Sequence, residues 1–162
     1  MDITATLNEV LVKLFRDIMT IEEKALKTGD YKDLTVNDIH VIEAIDVHEP
    51  KNMTTVAKAL SVTTGTLTIS INGLVKKGYV DRVRSEKDRR VVLVSLTEKG
   101  KQAFIRHRDF HQEMVDAITE GLSLEEQVVL ERALRNANSF FRTISDGRRS
   151  SKEVKSEGPQ SK

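Results

Sequence analysis

The chain of 162 residues contains no cysteine and no tryptophan, and only 4% of it is aromatic. Without cysteine it can have no disulfide scaffold, iron–sulfur cluster, thiol nucleophile or thiol redox sensor. The scarcity of aromatic residues argues against a large β sandwich or a sugar-binding face. Enzyme signatures are missing too: there is no nucleophile motif, no glycine-rich loop to cradle a phosphate and no His-Glu-x-x-His. No catalytic residue, resident cofactor or enzymatic activity is therefore expected. The first twenty residues carry Asp2, Glu9, Lys13, Arg16 and Asp17 along an apolar stripe, which suits neither a signal peptide nor a membrane span. The expectation is a cytoplasmic protein with no membrane partner.

What remains is a soluble, helix-leaning composition, 38% hydrophobic and 31% charged, in a length that suits one domain with helical extensions. The formal net charge of +1 conceals a strong asymmetry. Residues 1–53 hold 6 Lys/Arg against 11 Asp/Glu, whereas residues 76–108 hold 11 Lys/Arg against 4 Asp/Glu. A concentrated basic block in a near-neutral chain is the footprint expected of a polyanion partner, although a solvated surface would give the same count.

Apolar spacing and capping residues divide the chain into helices. Leu7, Leu11, Leu14, Ile18, Ile21 and Ala25 step by fours and threes, predicting a helix over 5–28 with an apolar seam. Thr35 opens a second helix with Ile39, Ile42 and Ile45 on one face, closed by Pro50. Thr54 or Thr55 is expected to cap a short third helix, and Ser61-Val62 to form a turn. Thr63 is expected to cap a fourth helix ending at Gly78. A long helix is predicted over about 98–120, after Thr97 as cap. Ser123 caps the last helix, whose Leu130, Leu134, Ala137, Phe141 and Ile144 repeat the same steps. Residues 147–162 are polar apart from Val154 and are expected to form a disordered basic tail.

Between the fourth and fifth helices, Tyr79 to Arg84 and Val91 to Leu96 are two β-prone runs joined by a charged turn, which predicts a hairpin with arginines at its tip. A helix–turn–helix followed by a basic hairpin has the form of a winged-helix DNA-binding domain. On the fourth helix Leu67, Ile71 and Leu74 must face inward, leaving Thr64, Gly65, Thr66, Thr68, Ile69 and Asn72 outward beside the cap Thr63. Thr hydroxyls and methyls suit base edges and thymine methyls, and Asn suits adenine. So many Thr residues disfavour a helix, which points to selection for something other than helix stability. Lys76 and Lys77 at the helix end suit phosphates. Arg84, Lys87, Arg89 and Arg90 form the wing cluster, with Arg89 or Arg90 expected in the minor groove and Asp88 expected to orient an arginine.

The pattern Leu74-x-x-x-Gly78, Asp88-x-Arg90 and Leu96-Thr97-x-x-Gly100 is similar to the wing region of the MarR (multiple-antibiotic-resistance regulator) family. The resemblance implies a mainly α fold with a small β wing, a winged helix-turn-helix domain whose N- and C-terminal helices form a dimerisation region. It covers about residues 5–145, with a DNA-binding core of about 35–100, a helix-turn-helix of about 54–78 and a wing of about 79–96. It also implies a homodimer on an inverted-repeat operator in double-stranded DNA. Ile21-Glu-Glu23, Tyr31 to His40, Val62 to Leu74, Arg84 to Val92 and Phe110-His111 with Met114 resemble, within that family, the repressors of fatty-acid synthesis genes in low-GC Gram-positive bacteria. That branch implies an acyl-chain effector delivered on acyl carrier protein. A cleft among the first, second and fifth helices could take it, lined by Leu14, Ile18, Ile39, Val41, Ile42, Phe104, Phe110 and Met114. Lys101, Arg106 and Arg108 lie nearby to meet an acidic carrier.

Two alternatives stand beside this reading. His107 and His111 form an i, i+4 pair, and His40 with Glu22 or Glu23 could join them; imidazoles at that spacing suit zinc, and some zinc-sensing regulators of the MarR family resemble this arrangement. On that alternative the chain is a zinc-responsive regulator of metal uptake, whereas hydrogen-bonded, metal-free packing would need no ion and leaves the metal ligands at none. A more distant alternative is a winged-helix module used only for protein contacts.

Overall fold

The computed structural model describes residues 2–85 and 88–156. Six helices and one small sheet make up the described chain: α1 (Ile3–Thr28), α2 (Val36–Ile45), β1 (Lys51–Asn52), α3 (Met53–Ala59), α4 (Thr64–Lys76), β2 (Val80–Arg84), β3 (Val92–Leu96), α5 (Glu98–Thr119) and α6 (Leu124–Ser156). The mainly helical winged architecture expected from the sequence is the one observed. Two compact units divide between Gln112 and Glu113.

Local chemistry accounts for most boundaries of the first unit. Asp2 starts α1 by accepting from the backbone N–H groups of Thr4 and Ala5. Thr35 and Asp38 form a reciprocal capping box at α2, satisfying two N–H groups that helix geometry leaves unpaired. The cap of α3 is Asn52, whose side chain accepts from Thr55 N–H at 2.8 Å, rather than Thr54 or Thr55. The helix therefore begins at Met53, two or three residues earlier than the threonines suggest. Thr63 caps α4 as expected, accepting from Thr66 N–H at 3.1 Å. Ser61, in the turn between α3 and α4, takes a left-handed backbone at φ 58°, a conformation non-glycine residues rarely adopt. Gly78, just past α4, takes φ 79°, where glycine carries no steric penalty.

The sheet is antiparallel in the order β1-β3-β2. Val80 pairs with Leu96 and Arg84 with Val92, and Ser85 N–H donates to Val91 carbonyl at 2.9 Å to extend the hairpin. The two-residue β1 adds an edge through Lys51 opposite Val94; nothing in the alternation of the sequence marks so short a strand. Beneath the sheet lies the core: Ile39, Ile42, Ile45, Val56, Leu67, Ile71, Leu74, Tyr79, Val80 and Val94 are almost completely buried.

The root of the wing is tied to this core. Thr97 donates its hydroxyl to Gly78 carbonyl at 2.7 Å and accepts from Gly100 N–H at 3.1 Å, capping α5. The buried Tyr79 donates its hydroxyl to Asp33 at 2.7 Å, with Lys99 3.9 Å above its ring. That bond from Tyr79 holds the Asp33 carboxyl below its ordinary range, helped by the charge of Lys99. Burial, and then the Asp33 carboxylate, push the Tyr79 phenol well above its own range.

The second unit contains the end of α5 and all of α6. Gly121 turns the chain at φ 80°, and Ser123 with Glu126 forms a capping box: Ser123 N–H donates to Glu126 at 2.8 Å and Glu126 N–H to Ser123 Oγ at 3.3 Å. α6 runs through Gly147 to Ser156, whereas the sequence leads one to expect an unstructured tail from residue 147. A glycine within a helix costs about 1 kcal/mol without ending it, and the first proline after it is Pro159. Residues 157–162 of the expected tail lie outside the described residues. None of the described helices is long and apolar enough to cross a membrane.

Candidate nucleic-acid interface

α4 divides its side chains by face. Leu67, Ile71 and Leu74 are buried, and this anchoring turns Thr63, Thr64, Gly65, Thr66, Thr68, Ile69, Asn72 and Lys76 outward, where all are exposed. Ile69 is 75% exposed, the position of an apolar side chain offered to a partner rather than to the core. The threonine hydroxyls are partly committed. Those of Thr63 and Thr66 lie 2.9 Å apart, and Thr68 donates to Thr64 carbonyl at 2.7 Å, keeping its oxygen lone pairs and methyl outward. Helical threonine commonly bonds backward in this way.

Asn72 is held from the wing. Arg82 on β2 donates from its guanidinium to Asn72 Oδ1 at 2.8 Å, fixing the carboxamide so that its NH2 faces away as a donor. The oxygen keeps a second lone pair, so recognition of adenine through both amide atoms stays chemically open. Sequence reasoning missed Arg82, because ten residues and a change from helix to strand separate the partners. A cation on the first half of a predicted wing strand was the only available signal.

On the wing, Arg84, Arg89 and Arg90 are exposed, and so is Asp88; Lys87 lies outside the described residues. Asp88 acts on the main chain: its carboxylate accepts from Arg90 N–H at 2.9 Å, and its carbonyl accepts from Val91 N–H at 2.9 Å. This carboxylate bond shapes the turn that carries Arg90 and is made to the main chain, not the expected contact to a guanidinium. Lys77 differs from its neighbour Lys76. It bonds Asp38 at 2.7 Å and so clamps α4 to α2 instead of reaching a phosphate.

A cavity of about 540 Å³ opens in the first unit, between the C-terminal end of α1, the start of α2 and the first half of α5. Ile39 and Phe110 line it as the sequence suggests. Leu14, Ile18, Val41, Ile42 and Phe104 do not, and Met114 falls in the second unit. Val41 and Ile42 are instead core residues, because a helix packed on two sides buries more than one stripe. The wall is mixed, with Ala25, Leu26, Tyr31 and Ile105 beside Asp30, Gln102, Arg106 and Asp109. Of the residues expected to greet a carrier, Arg106 lines the cavity, and Arg108 pairs with Asp109 at 3.1 Å. At the cavity's inner wall the structure brings Glu22, His107 and His111 together, with His40 adjoining. Glu23 points elsewhere, toward Lys27.

A buried three-helix core presenting a threonine-rich helix, beside a hairpin with arginines at its tip, defines a winged-helix DNA-binding protein. Comparison with known proteins agrees. A profile described as transcriptional regulator SarA/Rot matches residues 25–106. The chain therefore belongs to the SarA/Rot family of transcriptional regulators, with a MarR-like winged-helix fold, and is a regulator rather than an enzyme. It is similar to Streptococcus pneumoniae FabT, solved in complex with DNA, at 39% identity and a TM-score of 0.81, over 87% of this chain and 99% of that one. It is 43% identical to the Staphylococcus aureus regulator SarZ over 72 residues, 44% of this chain and 48% of SarZ. A MarR protein from Peptoclostridium difficile shares the fold at 20% identity, with a TM-score of 0.71 over 91% of this chain and 93% of that one. The chain spans from 46% to 63% of the length of the first curated relatives it matches.

Proposed function

We propose that this regulator is a repressor that binds an inverted-repeat operator as a homodimer, controls fatty-acid synthesis genes, and binds DNA more tightly in response to long-chain acyl groups on acyl carrier protein. The observation that carries the reading is the exposed helix α4, with its threonine and asparagine surface, flanked by the arginine wing in a chain alike over nearly its whole length to a DNA-bound regulator. In this reading Thr63, Thr64, Gly65, Thr66, Thr68, Ile69 and Asn72 meet the major groove. Lys76, Arg84, Lys87 and Arg89 meet phosphates, and Arg90, on the turn that Asp88 shapes, enters the minor groove.

Two features support the dimer. α1 leaves Leu7, Leu11 and Phe15 at least 49% exposed, and α6 does the same with Leu134, Phe140 and Phe141 at 57–60%. Apolar rows of that length on soluble helices mark interaction surfaces. A closed dimer carries two reading heads related by a two-fold axis, which requires half-sites about one helical turn apart, centre to centre at roughly 34 Å. The fatty-acid branch rests on the motif resemblance and accords with the likeness to FabT. The cavity beside α1, α2 and α5 supports an effector site, the apolar part of its mixed wall suiting an alkyl chain and Arg106 in its lining suiting an acidic carrier.

The test is operator affinity measured with long-acyl, short-acyl and empty carrier protein. Tighter binding with the long-acyl carrier alone is expected; equal affinity with all three would remove the effector from the proposal. A footprint without dyad symmetry would remove the dimeric operator.

A further inference from the structure

We infer that the turn at residues 31–34, between α1 and α2, couples the cavity to the DNA-reading head, passing a displacement of the cavity wall through Tyr79 to the end of α4 and the base of the wing. The inference rests on the reading of the cavity as an effector site and names the element through which that site acts. Gly29, Asp30 and Tyr31 belong to the cavity wall. Leu34, three residues beyond Tyr31, is a core residue, and its N–H donates to the Tyr31 carbonyl at 2.9 Å. That bond closes the turn, so the wall residue and the core residue move as one piece.

The turn holds Tyr79 twice. The Tyr31 and Tyr79 rings pack with centroids 6.3 Å apart and planes tilted by 60°, within the spacing at which aromatic pairs attract. Asp33 accepts the Tyr79 hydroxyl at 2.7 Å. The main chain of Tyr79 is in turn the junction of the reading head. Its N–H donates to the Leu74 carbonyl of α4 at 2.9 Å, and its carbonyl accepts from Thr97 N–H at 3.0 Å. The next residue, Val80, makes the first rung of the wing with Leu96. A second tie runs in parallel, since Lys99 Nζ reaches Asp33 at 3.5 Å and the Lys77 carbonyl at 3.1 Å.

Packing makes this path stiff in the core and free at its outer edge. Close-packed interiors transmit strain, and Tyr79 has no exposed surface into which to relax. Lys32 and Asp33 are exposed, so the turn can shift on its outer side without opening the core. An occupant of the cavity would meet the Tyr31 ring, and the same ring meets Tyr79. A shift there reorients the end of α4 and the wing together, the two parts that must fit one duplex at once. Linkage is reciprocal, so DNA bound to the head must act back on the turn by the same coupling.

The experiment uses the full chain and operator DNA that it selects from a random-sequence pool. Tyr79→Phe, which keeps the ring and loses the hydroxyl, and Asp33→Ala, which removes the acceptor, each cut the tie. Both should bind operator alone, and long-acyl carrier alone, as wild type does. The factor by which the carrier tightens operator binding, about 5–150 for a typical coupled pair of sites, should fall by about threefold or more in each. Lys32→Ala, in the same turn, should keep the wild-type factor. Hydrogen exchange with no carrier present supplies a second readout: operator should slow exchange at residues 29–35 in wild type and in neither variant. Circular dichroism checks that each variant is folded, and Asp33→Ala, at an exposed position, suffices if Tyr79→Phe is not. A full carrier response in both variants overturns the coupling and leaves the acyl reading intact. Exchange at residues 29–35 of wild type that ignores operator also overturns it. A wild type unresponsive to every carrier, whose operator-induced protection is lost in the variants, keeps the coupling and removes the acyl reading.

Discussion

Gly100 lies in the first turn of α5, where alanine would ordinarily stabilise a helix by about 1 kcal/mol. The structure predicts the opposite sign. A Cβ on Gly100 would sit 2.1 Å from Tyr79 carbonyl oxygen, 3.1 Å from its carbonyl carbon and 3.2 Å from Leu96 Cβ. Neither neighbour can yield cheaply. That carbonyl accepts from Thr97 N–H at 3.0 Å, and the Tyr79 ring is completely buried with its hydroxyl bound to Asp33. Forcing one methyl into such a place costs about 1–3 kcal/mol, and stretching the Thr97 bond adds about 1 kcal/mol. After the helix-propensity gain, Gly100→Ala should lose roughly 1–3 kcal/mol. At about 2–4 °C per kcal/mol for a chain of this size, the melting midpoint should fall by roughly 2–12 °C. Gly73→Ala is the matched control. Gly73 lies within α4 with nothing within 4 Å of the added Cβ, so alanine should gain about 0.5–1 kcal/mol there. Urea titrations of both variants at one protein concentration measure the two signs. A Gly100→Ala protein as stable as wild type, with Gly73→Ala behaving as expected, would refute the close approach of α5 to the wing root.

Three further outcomes follow from other contacts. Arg82→Lys keeps the charge but loses the planar donor that holds Asn72; it should retain affinity for random DNA while losing up to about 1–3 kcal/mol of preference at one base pair of each half-site, and a base-by-base operator series with wild-type preference would rule this out. Tyr79→Phe should flatten the pH dependence of stability on both sides. The depressed Asp33 contributes stability above its unfolded value of about 4 and loses it as pH falls through the folded value, whereas the raised Tyr79 contributes below about 10 and loses it as unfolded tyrosine ionises; urea midpoints from acid to alkaline pH that match wild type in shape would contradict it. Leu134→Asp places a charge in the exposed apolar row of α6 and should convert a dimer to monomer in sedimentation, a result excluded if the wild-type protein is itself monomeric at micromolar concentration.

The elements of this protein were legible in the sequence wherever their cause is local. Thr35, Thr63, Thr97 and Ser123 cap the helices they precede, because a side-chain oxygen reaches an N–H only two or three residues away. Leu67, Ile71 and Leu74 face the core because the period of a helix leaves them no other face. The same periodicity exposed the threonine surface of α4, and composition alone placed the positive charge on the wing. Capping misled at α3, where Asn52, two and three residues before the threonines, is the cap. The two-residue β1 left no trace, since two residues cannot show a period.

Contacts between distant residues were decided only by the packing of the elements. The sequence offered Glu22 and Glu23 equally to the histidines; the rotation of α1 buries Glu22 among them and sends Glu23 to Lys27. It paired Lys76 with Lys77, which the crossing of α4 and α2 separates into an exposed cation and a clamp on Asp38. It could not join Arg82 to Asn72, nor place Asp30, Gln102, Arg106 and Asp109 in the wall of the cavity. A one-residue rotation on a helix moves a side chain by about 100°, so these assignments depend on angles between elements, which pairwise spacing along a chain does not encode.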